Sequence, residues 1–149
     1  MYSSLLVATD GSSDAEAALD HAVGLAAATD AALHVVSVVE TRTAYDNAIV
    51  DPEEVRENLR ADAAAALERA SERAEAAGVA CHTTVAEGPP PERILAAAAD
   101  AAADAIVVGA TGRSGFKRLV LGGTTERLLE SASVPVVVVG DGREGSDGN

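Results

Sequence analysis

Ala105-Ile106-Val107-Val108-Gly109-Ala110-Thr111-Gly112-Arg113-Ser114-Gly115-Phe116-Lys117-Arg118-Leu119-Val120-Leu121-Gly122-Gly123-Thr124-Thr125-Glu126 passes from a short apolar, β-branched run into a glycine-rich loop and then towards a helix. A continuous apolar run of this length, closed by glycine, reads as a strand buried on both faces. A buried strand followed by a helix is the repeating unit of a parallel α/β sheet.

The rest of the chain supplies the same unit again. Leu5-Leu6-Val7-Ala8 reads as a first strand, turning at Thr9-Asp10-Gly11. Ser13-Asp14-Ala15-Glu16 matches a capping box, and Ala15, Ala18, Leu19, Ala22, Val23 and Ala26 then recur at helical spacing. Leu33-His34-Val35-Val36-Ser37-Val38-Val39 is a second strand. After a loop at residues 41–50, Asp51-Pro52-Glu53-Glu54 opens a long helix. Val55, Leu59, Ala63, Ala66, Leu67, Ala70, Ala74 and Ala77 are its expected buried side, and Gly78 its stop. A third strand over residues 79–85 and a helix from the prolines after Gly88 to about Ala103 precede the fourth strand. The last helix falls within residues 118–132. Val134-Pro135-Val136-Val137-Val138-Val139 closes the set as an edge strand, because Pro135 cannot donate to a ladder. Strands alternating with helices predict an open α/β sheet of five parallel strands, covered by helices on both faces.

Composition narrows the function. The chain has 149 residues and a net charge of -13, from 11 Lys+Arg against 24 Asp+Glu. Such a surface repels nucleic acid and anionic membranes, so neither is an expected partner. Lys117 is the only lysine, and the acidic, lysine-poor balance points to a halophilic, archaeal source in which salt screens self-repulsion. Cys81 is the only cysteine, which precludes an intrachain disulfide. With no leader-like or membrane-spanning stretch in view, a cytoplasmic location is expected. Residues 1–140 are read as one domain and residues 141–149, which carry no apolar side chain, as a disordered tail.

Chemistry concentrates in the quoted loop. Gly109, Gly112, Gly115, Gly122 and Gly123 are five of the chain's 13 glycines. No acid occurs from residue 105 to residue 125, where Arg113, Lys117 and Arg118 all lie. Glycines admit close approach of an anion to backbone amides, and a helix N-terminus beyond them adds positive charge. In open α/β sheets ligands sit beyond the carboxyl ends of the strands, which also brings Asp10 into consideration. Asp10 alternatively holds its own turn, and each of the three cations is alternatively solvated surface. Neither G-x-x-x-x-G-K-[ST] nor a G-x-G-x-x-G after the first strand is present. Ser12 and Ser13 lack the surroundings of a nucleophile. His21, His34 and His82 read as structural, and Cys81-His82 lacks partners at metal spacing, so no metal site built of protein side chains alone is expected.

The spacing of Gly109, Gly112 and Gly122 resembles G-x2-G-x9-G-[ST], the signature of the universal stress protein family. Val7-Ala8-Thr9-Asp10-Gly11-Ser12, Leu33-His34-Val35 and Val134-Pro135-Val136-Val137-Val138-Val139 extend that resemblance over nearly the whole chain. It implies strand order 3-2-1-4-5 and, in the family's ATP-binding branch, a nucleotide across the loops after the first and fourth strands. Asp10 would then contact the nucleoside, Val35 would lie against adenine, and Gly109, Gly112 and Arg113 would line ribose and phosphates. Gly122, Gly123, Thr124 and Thr125 would cradle the phosphates, with Mg2+ or Mn2+ held through those phosphates. One residue departs from the signature: Gly123 stands where the family has Ser or Thr. The implied protein is a stress-response homodimer paired through its fifth strand, non-catalytic or slowly hydrolysing ATP. The alternative is a dimeric interaction module that binds no nucleotide.

Overall fold

The computed structural model describes residues 2–40, 51–110 and 122–140. The expected loop at 41–50, the tail at 141–149 and the loop interior at 111–121, with Gly112, Arg113, Lys117 and Arg118, lie outside the described residues.

Five strands form one sheet: β1 (Ser4–Ala8), β2 (Ala32–Val39), β3 (Cys81–Glu87), β4 (Ala105–Gly109) and β5 (Val136–Val139). Their order is β3-β2-β1-β4-β5 and every pairing is parallel. The order reverses between β1 and β4, so the crevice at the switch point opens beyond Ala8 and Gly109. Helices α1 (Ser13–Thr29) and α2 (Pro52–Ala76) cover one face, where Leu5, Val7, Leu33, Val35 and Val107 meet Ala18, Leu19, Leu67 and Ala70. Helices α3 (Pro90–Asp100) and α4 (Gly123–Ser131) cover the other, where Leu6, Val36, Ile106 and Val108 meet Ile94, Ala98 and Leu128. Side chains alternate between the two cores because strand period is two.

Several local expectations change. The cap of α1 is Ser12, whose Oγ accepts from Ala15 N at 3.3 Å, rather than Ser13 in a capping box. Glu16 therefore falls beyond the reciprocal position and pairs with Arg69 and Arg73 of α2. Helix α2 buries Ala63, Ala66, Leu67, Ala70 and Ala74, whereas Val55 and Leu59 are half-buried and Ala77 is exposed. A 25-residue helix is about 37 Å long and outreaches any strand here, so its ends run past the sheet. Helix α3 stops at Asp100, not Ala103: Ala103 N donates to Ala98 O and Ala102 N to Ala99 O, with Ala102 at φ +51°. This is a Schellman stop built on alanine, which carries no glycine to announce it. Strand β3 runs to Glu87, two residues past its expected end, because its ladder with β2 continues to Val39. Strand β5 begins only at Val136, Pro135 serving the ladder through its carbonyl, which accepts from Ile106 N.

Candidate functional site

The switch-point crevice is built from two turns. At the end of β1, Thr9 N donates to Val36 O at 3.0 Å, and the buried Thr9 Oγ1 accepts from Gly11 N at 3.2 Å. Gly11 sits at φ +82°, a conformation that favours glycine. Asp10, half-buried, accepts from Ser12 N at 2.9 Å through Oδ1. Its carboxylate thus shapes the turn while standing at the mouth of the crevice.

At the end of β4, Ala110 N donates to Val139 O and Gly122 N donates to Ala110 O, both at 2.9 Å. The glycine-rich loop consequently leaves and returns at adjacent points. A Cβ on Gly109 would lie 2.8–2.9 Å from Asp14 backbone and Cβ atoms, so glycine lets the first turn of α1 sit against β4. Thr125 is buried, and its Oγ1 donates to Gly109 O at 2.8 Å. That hydrogen bond ties the start of α4 to the end of β4 across the loop.

Helix α4 begins at an uncapped N-terminus, because Gly122 has no side chain to accept from the first-turn amides. Gly122 lies at φ -68° and ψ 158°, extended backbone open to any residue, with its own N–H already committed to Ala110. Among the described residues no acceptor is given to the amides of Gly123, Thr124 and Thr125, at the positive end of the helix. Gly123 is exposed, and a Cβ there would meet nothing within 4 Å.

The structure gives the surroundings of two of the expected contact residues. Val35 is mid-strand and 1 % exposed, enclosed between β2 and the α1–α2 layer, so it presents no surface to a ligand. Val38, three residues nearer the carboxyl end of β2, is half-buried on the opposite face. Thr125 offers its amide and not its hydroxyl proton, which Gly109 O already receives. Thr124 is half-buried at the helix start.

Charge around this edge is organised in pairs. Glu87, at the end of β3, receives hydrogen bonds from Arg56 and Arg60 of α2, the latter contact very short. The Arg56 hydrogen bond is the main cause holding the Glu87 carboxyl below the usual carboxylate range. Among the described residues no group of three or more His, Cys, Asp or Glu side chains is placed to hold a metal ion. Among them, too, no helix is long and apolar enough to cross a membrane.

The fold and crevice together define an open, doubly wound α/β domain with a helix start that has no side-chain cap near its switch point. Residues 1–140 match the universal stress protein family, and the chain belongs to it. It is similar to universal stress protein MJ0531 of Methanocaldococcus jannaschii, 34% identical over 140 residues that cover 93% of this chain and 82% of that one. The solved structure of hypothetical protein MJ0577 superposes with a TM-score of 0.82 at 27% identity, covering 94% of this chain and 96% of that chain. A universal stress protein crystallised in complex with cAMP superposes with a TM-score of 0.67 at 26% identity, covering 94% and 98%.

Proposed function

We propose that this chain binds an adenine nucleotide, ATP with Mg2+ or Mn2+ carried on its phosphates, in the crevice between Asp10 and the start of α4. The observation that supports the reading is the N-terminus of α4, which Gly122 does not cap with a side chain and where a Cβ on Gly123 would meet nothing within 4 Å among the described residues. The residues fit the group: the amides of Gly123, Thr124 and Thr125 suit phosphate oxygens, and Val38 offers apolar surface for the base. Asp10 and Gly109 would flank the ribose, and Gly112 and Arg113 of the loop would add to the phosphate site. The family relative with bound cAMP supports an adenine ligand.

In this reading the nucleotide acts as a signal: the protein is a nucleotide-responsive module of the stress response and at most a slow ATPase. The functional unit is residues 1–140, with residues 141–149 as an appended tail. It works as a homodimer in which the half-buried valines of edge strand β5 meet their copies across a two-fold axis. Its net charge of -13 suits a salt-rich cytoplasm, as in a halophile, and disfavours nucleic acid or membrane as partners.

Gly123, in place of a hydroxyl residue, favours a second reading, a dimer that carries no nucleotide. Calorimetric titration with ATP and MgCl2, at high and low KCl, separates the two. Saturable one-to-one binding supports the first; a dimeric, folded protein giving no binding heat at either salt and failing to retain nucleotide through purification overturns it.

A further inference from the structure

The register of β2 against β3 sets His34 directly opposite His82, two histidines that are far apart in the chain. Their rings stack with centroids 5.1 Å apart and planes 22° from parallel. Both belong to the α3 face of the sheet, because His34 is in register with Leu6 of that core and flanks the same cavity as Thr84, Ala97 and Asp100. The cavity, about 180 Å³, opens beside the carboxyl end of α3, where the helix dipole is negative and Asp100 adds an exposed carboxylate. Among the described residues neither imidazole has a hydrogen-bond partner. Four ring nitrogens are therefore uncommitted at the end of the sheet opposite the crevice.

We infer that His34 and His82 form a bis-imidazole site for a borderline divalent transition-metal ion, such as Ni2+, Cu2+ or Zn2+, which bridges β2 to edge strand β3. Imidazole nitrogen selects such ions over Mg2+ and Ca2+. With metal–nitrogen bonds of about 2.0–2.1 Å and a ring radius of about 1.1 Å, two imidazoles on a tetrahedral ion have centroids about 5.2 Å apart. The 5.1 Å observed matches that separation, and both rings turn from their stacked arrangement to bring a nitrogen of each onto one ion. His82 is exposed and free to turn. Burial and the neighbouring His82 ring both hold His34 below its ordinary pKa, which keeps its lone pairs available near neutrality. The two rings supply two ligands, water completes the shell, and Asp100 adds attraction from the cavity wall without being a ligand.

The test is a nickel chloride titration of chelator-treated, full-length protein, followed by calorimetry and by thermal unfolding. One Ni2+ per chain is expected, with a raised unfolding temperature. His82→Ala, at an exposed position, should weaken binding roughly tenfold or more and abolish the thermal shift, since a single imidazole cannot chelate. His34→Gln should do the same, and His21→Ala, on the exposed side of α1, should change neither. Binding of equal strength in wild type and His82→Ala would assign the metal to surface carboxylates and overturn the site. Absence of saturable binding in the wild type would overturn it equally.

Discussion

The two ends of the glycine-rich loop use glycine for opposite reasons. At the β4 end, a Cβ on Gly109 would press against the backbone of Asp14, so the fold itself excludes any other residue. At the α4 end, a Cβ on Gly123 would meet nothing within 4 Å, and among the described residues nothing demands glycine there. A glycine-rich motif thus mixes residues required for helix-on-strand packing with residues that leave a space for something else. Proximity in sequence does not separate them; the environment of each missing Cβ does.

The sharpest way to break this contrast is Gly109→Ala, which should destabilise the protein by about 2–3 kcal/mol, the upper part of the overpacking range, because the neighbour is backbone. Urea denaturation would measure it, and a cost below that of an ordinary surface change would show that α1 retreats easily. Thr125→Val comes next. It keeps the shape but leaves the Gly109 carbonyl without its 2.8 Å donor, an expected loss of about 1–2 kcal/mol. If denaturation midpoints are unchanged, the loop base is held by the Ala110 to Gly122 hydrogen bond alone.

Gly123→Ser tests the open end. Stability should stay within about 0.5 kcal/mol of wild type, as for other unhindered surface sites. ATP affinity should rise by about 0.5–1.5 kcal/mol, the net scale of one added hydrogen bond. Weaker ATP binding in a folded Gly123→Ser protein would place the phosphates elsewhere.

The smallest expected effect separates the loop from the far end of the sheet. His34 has its pKa lowered by burial and then by His82, so the unfolded chain takes up the proton first. The stability this confers is fully present above the unfolded value of about 6.5 and is lost as pH falls through that value towards the lowered one. Urea midpoints measured between pH 7.5 and 5.5 should therefore fall less steeply in His34→Gln than in wild type. Gly109→Ala and Gly123→Ser should retain the wild-type slope, because neither touches that face. A loop variant that changed the slope would couple the two ends of the sheet.

Periodicity made most of the fold legible. Apolar runs of strand length and alanine stripes at helical spacing are local properties, and they mark the five strands and the first three helices of the described residues. The stop of α3 was not legible because alanine in a left-handed cap looks like continued helix. Within the crevice, the spacing of Gly109, Gly112 and Gly122 pointed to the loop, and Asp10 to the neighbouring turn. The burial of Val35 was not legible because it depends on which sheet face α2 covers, a matter decided elsewhere in the chain.

The sequence by itself determined that this chain folds as alternating strands and helices around an aliphatic core, with an acidic surface and one basic, glycine-rich loop. Tertiary structure alone decided that Gly109 serves packing, that the Thr125 hydroxyl is a strut, that Val35 is enclosed while Val38 is half-buried, and that His34 faces His82. The reason is physical: side-chain periods of two and 3.6 record which way a residue points from its own element. What it meets there depends on register and helix placement, which are set by packing between segments distant in the chain.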